Sequence, residues 1–218
     1  MPTAYHKNKE IRGDVTYEKI YVFCTFLLML SLMLTGCGKQ KTASKAPEAE
    51  ASLLTGIYKA ELVIKDYGTI RFEMDADKAP ITVTNFVKLA ESGLYDGLTF
   101  HRIMDGFMMQ GGDPTLAGGA AAEKIKGEFS ANGVENDQSH TRGAVSMARP
   151  NDMDGASSQF FIVHKDSTFL DGQYACFGYV TEGMDVVDSI CESVPVTDNN
   201  GSVPRDAQPV IESLTITH

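Results

Sequence analysis

The chain has no tryptophan and only four cysteines, and its 19 Lys and Arg are outnumbered by 29 Asp and Glu. A formal charge of −10 at pH 7 argues against nucleic-acid binding, because phosphate recognition needs a basic surface to displace counterions. No block of like charge stands out, so the acidity reads as a solvated surface. Metal chemistry has little support: there is no Cys-x-x-Cys or His-Glu-x-x-His spacing, and the five His are scattered. No nucleophile stands beside an obvious base, and no paired carboxylates form a recognisable frame. Gly111-Gly112-Asp113 and Gly118-Gly119 lack the following Lys-Ser/Thr that a phosphate cradle needs. Neither a metal nor a cofactor is expected.

Long apolar runs are scarce as well. The clearest is Ile20–Leu34, which carries no charge. It is short for a bilayer-spanning helix, which needs about 20 apolar residues, and suits a signal-peptide core preceded by Lys7, Lys9, Arg12 and Lys19. Leu34-Thr35-Gly36-Cys37 follows at once and resembles the lipobox of bacterial lipoproteins, in which the Cys thiol is acylated and the peptide is cut just before it. The alternative is an uncleaved membrane anchor with Cys37 incidental. Residues 1–36 are therefore expected to be a removed lipoprotein signal, and residues 37–56 a lipidated Cys37 with a flexible tether rich in Lys, Ala, Ser and Glu. The rest would sit outside the cytoplasm, held at the outer face of the cell membrane or envelope by lipid. Of the cysteines, Cys176 and Cys191 then remain. An oxidising compartment allows a disulfide between them, but the spacing does not establish one, and two buried thiols are the simpler reading.

What is abundant is glycine, at 20 residues, within a chain that is 43% hydrophobic. Many tight turns and one ordinary core favour a β-rich domain over a helical bundle. Ile57–Ile64 and Gly68–Met74 read as two strands about a Lys65-Asp66-Tyr67 turn, the second alternating Ile70, Phe72 and Met74 with Arg71 and Glu73. The period then changes. From Pro80 to Gly93 the punctuation is helical, with Val83, Phe86, Val87 and Ala90 on one face. Further strands are predicted at Thr99–Met104, Phe107–Gly111, Ala144–Met147, Phe160–His164, Ala175–Val180 and Ile211–Thr217. A second short helix is predicted over Gly183–Cys191, with Met184, Val187 and Cys191 on one side. The pattern supports a barrel or a sandwich without choosing between them. The long segment Pro114–Arg142 is expected to be functional or mobile.

One chemical oddity remains, an Arg set among apolar residues in Phe100–Asp113, FHRIMDGFMMQGGD. The strand context allows Arg102 either to be paired structurally or to be presented to a ligand. That run resembles the signature of the cyclophilins, peptidyl-prolyl cis-trans isomerases, with every fixed element of FHR-I-x-x-GF-x-x-QGGD present. Ile125–Asn136 (IKGEFSANGVEN), Thr141–Arg149 (TRGAVSMAR), Ser157–His164 (SSQFFIVH), Phe169–Gly172 and Phe177-Gly178 continue the resemblance in family order. It implies a mainly β fold over residues 57–218, a closed eight-stranded antiparallel barrel capped by two helices, acting as a monomer.

The resemblance also implies roles. Phe107, Met108, Phe161 and Leu170 would form an apolar pocket for a substrate proline ring, with Arg102 at its edge and Gln110 bonding the substrate backbone. Ala148, Arg149 and Gln159 would line the stretch that receives the preceding residue, and His101 would be structural support. Phe169 stands where many relatives have Trp, and Tyr174 where many have His. Because the family's Trp contributes to tight cyclosporin binding, weak cyclosporin binding is expected. The implied partners are proline-containing unfolded or extended polypeptides. A non-catalytic proline-binding or chaperone module using the same groove is the alternative, as is a scaffold protein of the envelope.

Overall fold

A computed structural model describes residues 52–217. The expected signal segment, Cys37 and the tether as far as Ala51 lie outside the described residues. The chain forms β1 (Ile57–Ile64), β2 (Gly68–Asp75), α1 (Pro80–Glu91), β3 (Phe100–Met104), β4 (Met108–Gly111), β5 (Ala144–Met147), β6 (Phe160–Val163), β7 (Cys176–Glu182), α2 (Met184–Ser193) and β8 (Ile211–Thr217). The eight strands make one antiparallel sheet in the order β3-β4-β6-β5-β7-β2-β1-β8.

Local chemistry accounts for these elements. In β2 the alternation of Ile70, Phe72 and Met74 with polar neighbours buries one face, as a period of two requires. In α1 Pro80 opens the first turn, and Val83, Phe86, Val87 and Ala90 are all buried. Phe86 then centres an aromatic cluster, with ring centroids 5.0 Å from Tyr95, 5.4 Å from Phe160 and 5.1 Å from Phe177. Such pairs add about 0.5–1.5 kcal/mol each beyond area burial. In α2 Val187, Ile190 and Cys191 are buried, whereas Met184 is half-buried and packs at the core's edge.

The expected closed barrel is not formed. The sheet curls through about 230° and stays open between β3 and β8. The physical reason lies in the segment that runs past that gap. Pro204 and Pro209 have no N–H to give to a ladder, and β3 is bulged between Phe100 and Arg102. The gap is crossed by isolated bridges, Thr99 with Val210 and Arg102 with Ser202, and by bonds such as Phe100 N–H to the Pro209 carbonyl at 3.0 Å.

The long segment between β4 and β5 is pinned to the domain. The carboxylate of Glu128, 2% exposed, accepts from the backbone N–H of Ile81 at 3.0 Å and of Thr82 at 2.7 Å. It thereby caps the open N-terminal turn of α1, where free donors and the helix dipole both favour an anion. Asn136 Nδ2 donates to the carbonyls of Glu128 and Cys176. Cys176 and Cys191 are both free and buried, and burial pushes their thiols up to about 11 and about 12.

Candidate active site

Strands β5, β6 and the first half of β7, with most of β4, are buried on both faces, which distinguishes them from β1 and β2. Met109, Val145, Met147, Phe160, Ile162 and Phe177 point into the main core. Their neighbours Met108, Ala144, Phe161, Val163 and Cys176 point the other way and form a second apolar cluster with Leu170. Met104, Phe107, Ala148 and Tyr174 pack against it. Strands buried on both sides read as continuous apolar runs rather than alternating ones, and FFIV and FMM are such runs. The second cluster floors a groove on the outer wall.

That groove is a shallow concavity of about 420 Å³, measured to its open mouth. Phe107, Met108, Phe161 and Leu170 supply its apolar wall, and Arg102, Gln110, Ala148, Arg149 and Tyr174 complete it. Gln159 lies in an adjoining concavity that shares Gln110, Ala148 and Arg149. Phe169 lines neither but stands at the rim, 66% exposed, its ring 5.6 Å from that of Phe107. The residues singled out from the sequence therefore converge on one surface. His101 does not line it. Burial holds its imidazole below the ordinary value, and its Nδ1 has no partner among the described residues.

A polar chain runs along one side of the groove. Arg102 on β3 pairs in register with Gln110 on β4. Its Nη1 donates to Gln110 Oε1 at 3.2 Å; Gln110 Nε2 donates to Gln159 Oε1 at 2.9 Å, and Gln159 Nε2 to Asp113 Oδ2 at 2.8 Å. Arg102 Nε donates to the Asn200 carbonyl at 2.9 Å, and Nη2 contacts Met104 Sδ at 3.3 Å. No carboxylate touches Arg102 among the described residues. Gly111 and Gly112 let the backbone pass beneath this chain. A Cβ on Gly111 would lie 2.6 Å from the Thr99 carbonyl oxygen, and Gly112 has φ +80°.

The apolar floor has its own support. His140 is fully buried and lies parallel to Phe161, ring centroids 6.0 Å apart and tilted by 18°. Its Nδ1 lies 2.8 Å from Asp171 Oδ1 and its Nε2 3.0 Å from Ser146 Oγ. A neutral ring with the proton on Nδ1 satisfies both contacts, donating to the carboxylate and accepting from the hydroxyl. Burial lowers the His140 pKa more than Asp171 raises it. At Asp171, burial acts to raise the carboxyl, and bonds from Ser139, the His140 N–H and the His140 ring outweigh it and hold it below its ordinary value.

Residues 59–216 match the model of the family described as cyclophilin type peptidyl-prolyl cis-trans isomerase/CLD. The chain belongs to the cyclophilin family. Peptidyl-prolyl cis-trans isomerase A of Dickeya dadantii is 43% identical over 138 residues, which cover 60% of this cyclophilin and 70% of that protein. Peptidyl-prolyl cis-trans isomerase B of Bacillus subtilis is 40% identical over 147 residues, covering 67% and 94%. A crystal structure of a Cryptosporidium parvum cyclophilin superposes with a TM-score of 0.65 at 26% identity, over 75% of this chain and 99% of that one. The Cryptosporidium protein has also been solved in the presence of the dipeptide Ala-Pro. Peptidyl-prolyl cis-trans isomerisation is the activity of this cyclophilin.

Reading the sequence missed Asp113 as the anchor of Gln159. It also missed the His140, Ser146 and Asp171 support behind Phe161. Asp113 carried a signal, since an Asp closing an otherwise apolar and Gly-rich run needs a partner. His140 carried none, being a single His in a polar stretch.

Proposed function

We propose that the groove binds an X–Pro segment with the proline ring against Phe107, Met108, Phe161 and Leu170, and that Arg102 stabilises the twisted imide. Rotation about an X–Pro bond is opposed by about 18–20 kcal/mol of amide resonance. No bond is broken, so catalysis needs only a surface that holds the twisted state better than either planar state. On twisting, the proline nitrogen loses conjugation and becomes an acceptor, and a guanidinium beside it gains an interaction absent from the ground state. The observation that carries this reading is Arg102 at the edge of an apolar pocket, held by Gln110 Oε1 and the Asn200 carbonyl, with its charge uncompensated by any carboxylate among the described residues. Gln110, tethered through Gln159 to Asp113, offers the substrate backbone a fixed amide. Ala148, Arg149 and Gln159 receive the residues before the proline.

The test is an isomerase assay by NMR exchange on a proline-containing tetrapeptide. Arg102→Ala is expected to lower kcat/KM by about 10²–10³, the range for loss of one preorganised donor, with the melting transition retained. Full isomerase activity in Arg102→Ala would overturn the role given to Arg102, and no acceleration by wild type would favour a binding module instead. We propose also that Cys37 carries lipid and holds this domain outside the cytoplasm, where unfolded envelope polypeptides are its substrates. The lipobox-like Leu34–Cys37 supports this, and Cys37→Ser should release the protein from the membrane fraction. Phe169 in place of the family's Trp supports weak cyclosporin binding, which Phe169→Trp is expected to tighten.

A further inference from the structure

We infer that the groove selects substrates with a carboxylate side chain on either of the two residues preceding the proline, and that Arg149 sets this preference. The inference rests on the binding mode just proposed and adds to it a substrate class. The protein is acidic, with a net charge of −10, yet neither the groove nor the adjoining concavity is lined by an Asp or Glu. Two guanidinium groups line them instead, Arg102 and Arg149, and neither makes an ion pair among the described residues. Elsewhere Arg71 is paired with Glu61 and Glu182, and Arg142 with Asp188.

Arg149 is held in a fixed position. Its guanidinium lies between the rings of Phe129, at 4.9 Å from the centroid, and Tyr174, at 4.8 Å. Its Nε and Nη2 both donate to the Gln173 carbonyl at 3.0 and 2.8 Å, and Nη1 donates to the Pro150 carbonyl at 3.0 Å. Carbonyls and aromatic faces are neutral partners, so they orient the cation without cancelling its charge. Asp152, held below its ordinary value first by its bond from Lys124 and in smaller part by the field of Arg149, makes its ion pair with Lys124. One Nη2 hydrogen has no partner among the described residues. Arg102 is committed to the imide, and Arg149, shared by both concavities, is left to act on the residues that precede it. Lys or Arg at those substrate positions would meet like charge.

The experiment uses the full chain and NMR exchange, which avoids the sequence preference of a coupling protease. The probes are Ala-Glu-Pro-Phe, Ala-Gln-Pro-Phe and Ala-Lys-Pro-Phe, with Glu-Ala-Pro-Phe and Gln-Ala-Pro-Phe for the second position. Wild type is expected to show kcat/KM in the order Glu, Gln, Lys in at least one series, with Glu about fivefold above Gln, the upper end for an exposed ion pair. Sodium chloride at about 0.5 M should collapse that ratio toward one by screening. Arg149→Met should also bring the ratio to one, whatever its absolute rate, and Arg149→Lys should restore part of it. A wild-type Glu-to-Gln ratio of one or less at both positions overturns the proposal. So does a ratio that survives in Arg149→Met or in high salt. If Arg149→Met does not fold, the salt dependence and the Lys peptide decide. Absence of acceleration for every peptide would instead overturn the isomerase mechanism on which the preference rests.

Discussion

Replacing His140 by Phe tests whether the buried imidazole supports the groove floor through its nitrogens or only through its ring. The variant keeps an aromatic ring parallel to Phe161 and removes both polar contacts. Ser146, fully buried, loses the acceptor 3.0 Å away, and an unsatisfied buried hydroxyl costs about 1–3 kcal/mol. Asp171 loses the ring N–H but keeps bonds from Ser139 and the His140 backbone. Its side chain is 37% exposed, so water replaces part of that bond and the loss there is about 1 kcal/mol. The total is about 2–4 kcal/mol, or a fall of roughly 5–15 °C in Tm for a domain of this size.

A pH signature accompanies the loss. The folded His140 binds its proton below the ordinary value of 6.5 because burial disfavours the cation. The unfolded chain therefore protonates first as pH falls. The stability attached to His140 is complete above about pH 6.5 and is lost as pH drops toward the folded value, by at most about 1.4 kcal/mol per pH unit. His101, also lowered by burial, contributes in the same direction, so His140→Phe should flatten the slope rather than abolish it. Urea unfolding of both proteins at intervals from pH 8 to pH 5 gives both quantities. A destabilisation under about 1 kcal/mol with an unchanged pH slope would refute the reasoning.

Three further outcomes are expected. Glu128→Ala should cost about 2–4 kcal/mol in urea unfolding, because it strands the buried Thr82 N–H and opens the first turn of α1; Glu128→Gln, which keeps one acceptor, should cost less. Gln159→Leu should lower kcat/KM roughly ten- to a hundredfold with the far-UV spectrum unchanged, since it cuts the link from Gln110 to Asp113 and frees the amide that faces substrate. Alkylation mapped by mass spectrometry at pH 8 should leave Cys176 and Cys191 unmodified in the native protein and label both in urea, because burial keeps these thiols protonated at that pH.

The strands and helices were legible because burial period is a local property. Ile70, Phe72 and Met74, or Val83, Phe86, Val87 and Ala90, announce a buried face within a single element, and a chain that can bury that face does so. The bounds of Ala144–Met147 and Ile211–Thr217 were legible as well, although neither strand alternates in burial. The groove was legible for a different reason: FHRIMDGFMMQGGD and SSQFFIVH are unusual enough together to point to one family, and the continuous apolar runs mark strands covered on both faces. The segment Pro114–Arg142, expected to be functional or mobile, braces α1 through Glu128, which reaches 47 residues back to it, and sets His140 beneath the groove floor.

What the sequence determined by itself was thus the element types, the core faces and the membership of the groove. Only the tertiary structure decided how these side chains are partnered. It joins Arg102 through Gln110 and Gln159 to Asp113, sets His140 beneath Phe161 with Asp171 and Ser146 at its nitrogens, and leaves the barrel open beside Pro204 and Pro209. It also leaves Arg149 between two rings with no carboxylate in ion-pair contact among the described residues. Each of these depends on closing the chain over tens of residues, and a polar side chain carries no local mark of which distant partner the fold will bring to it.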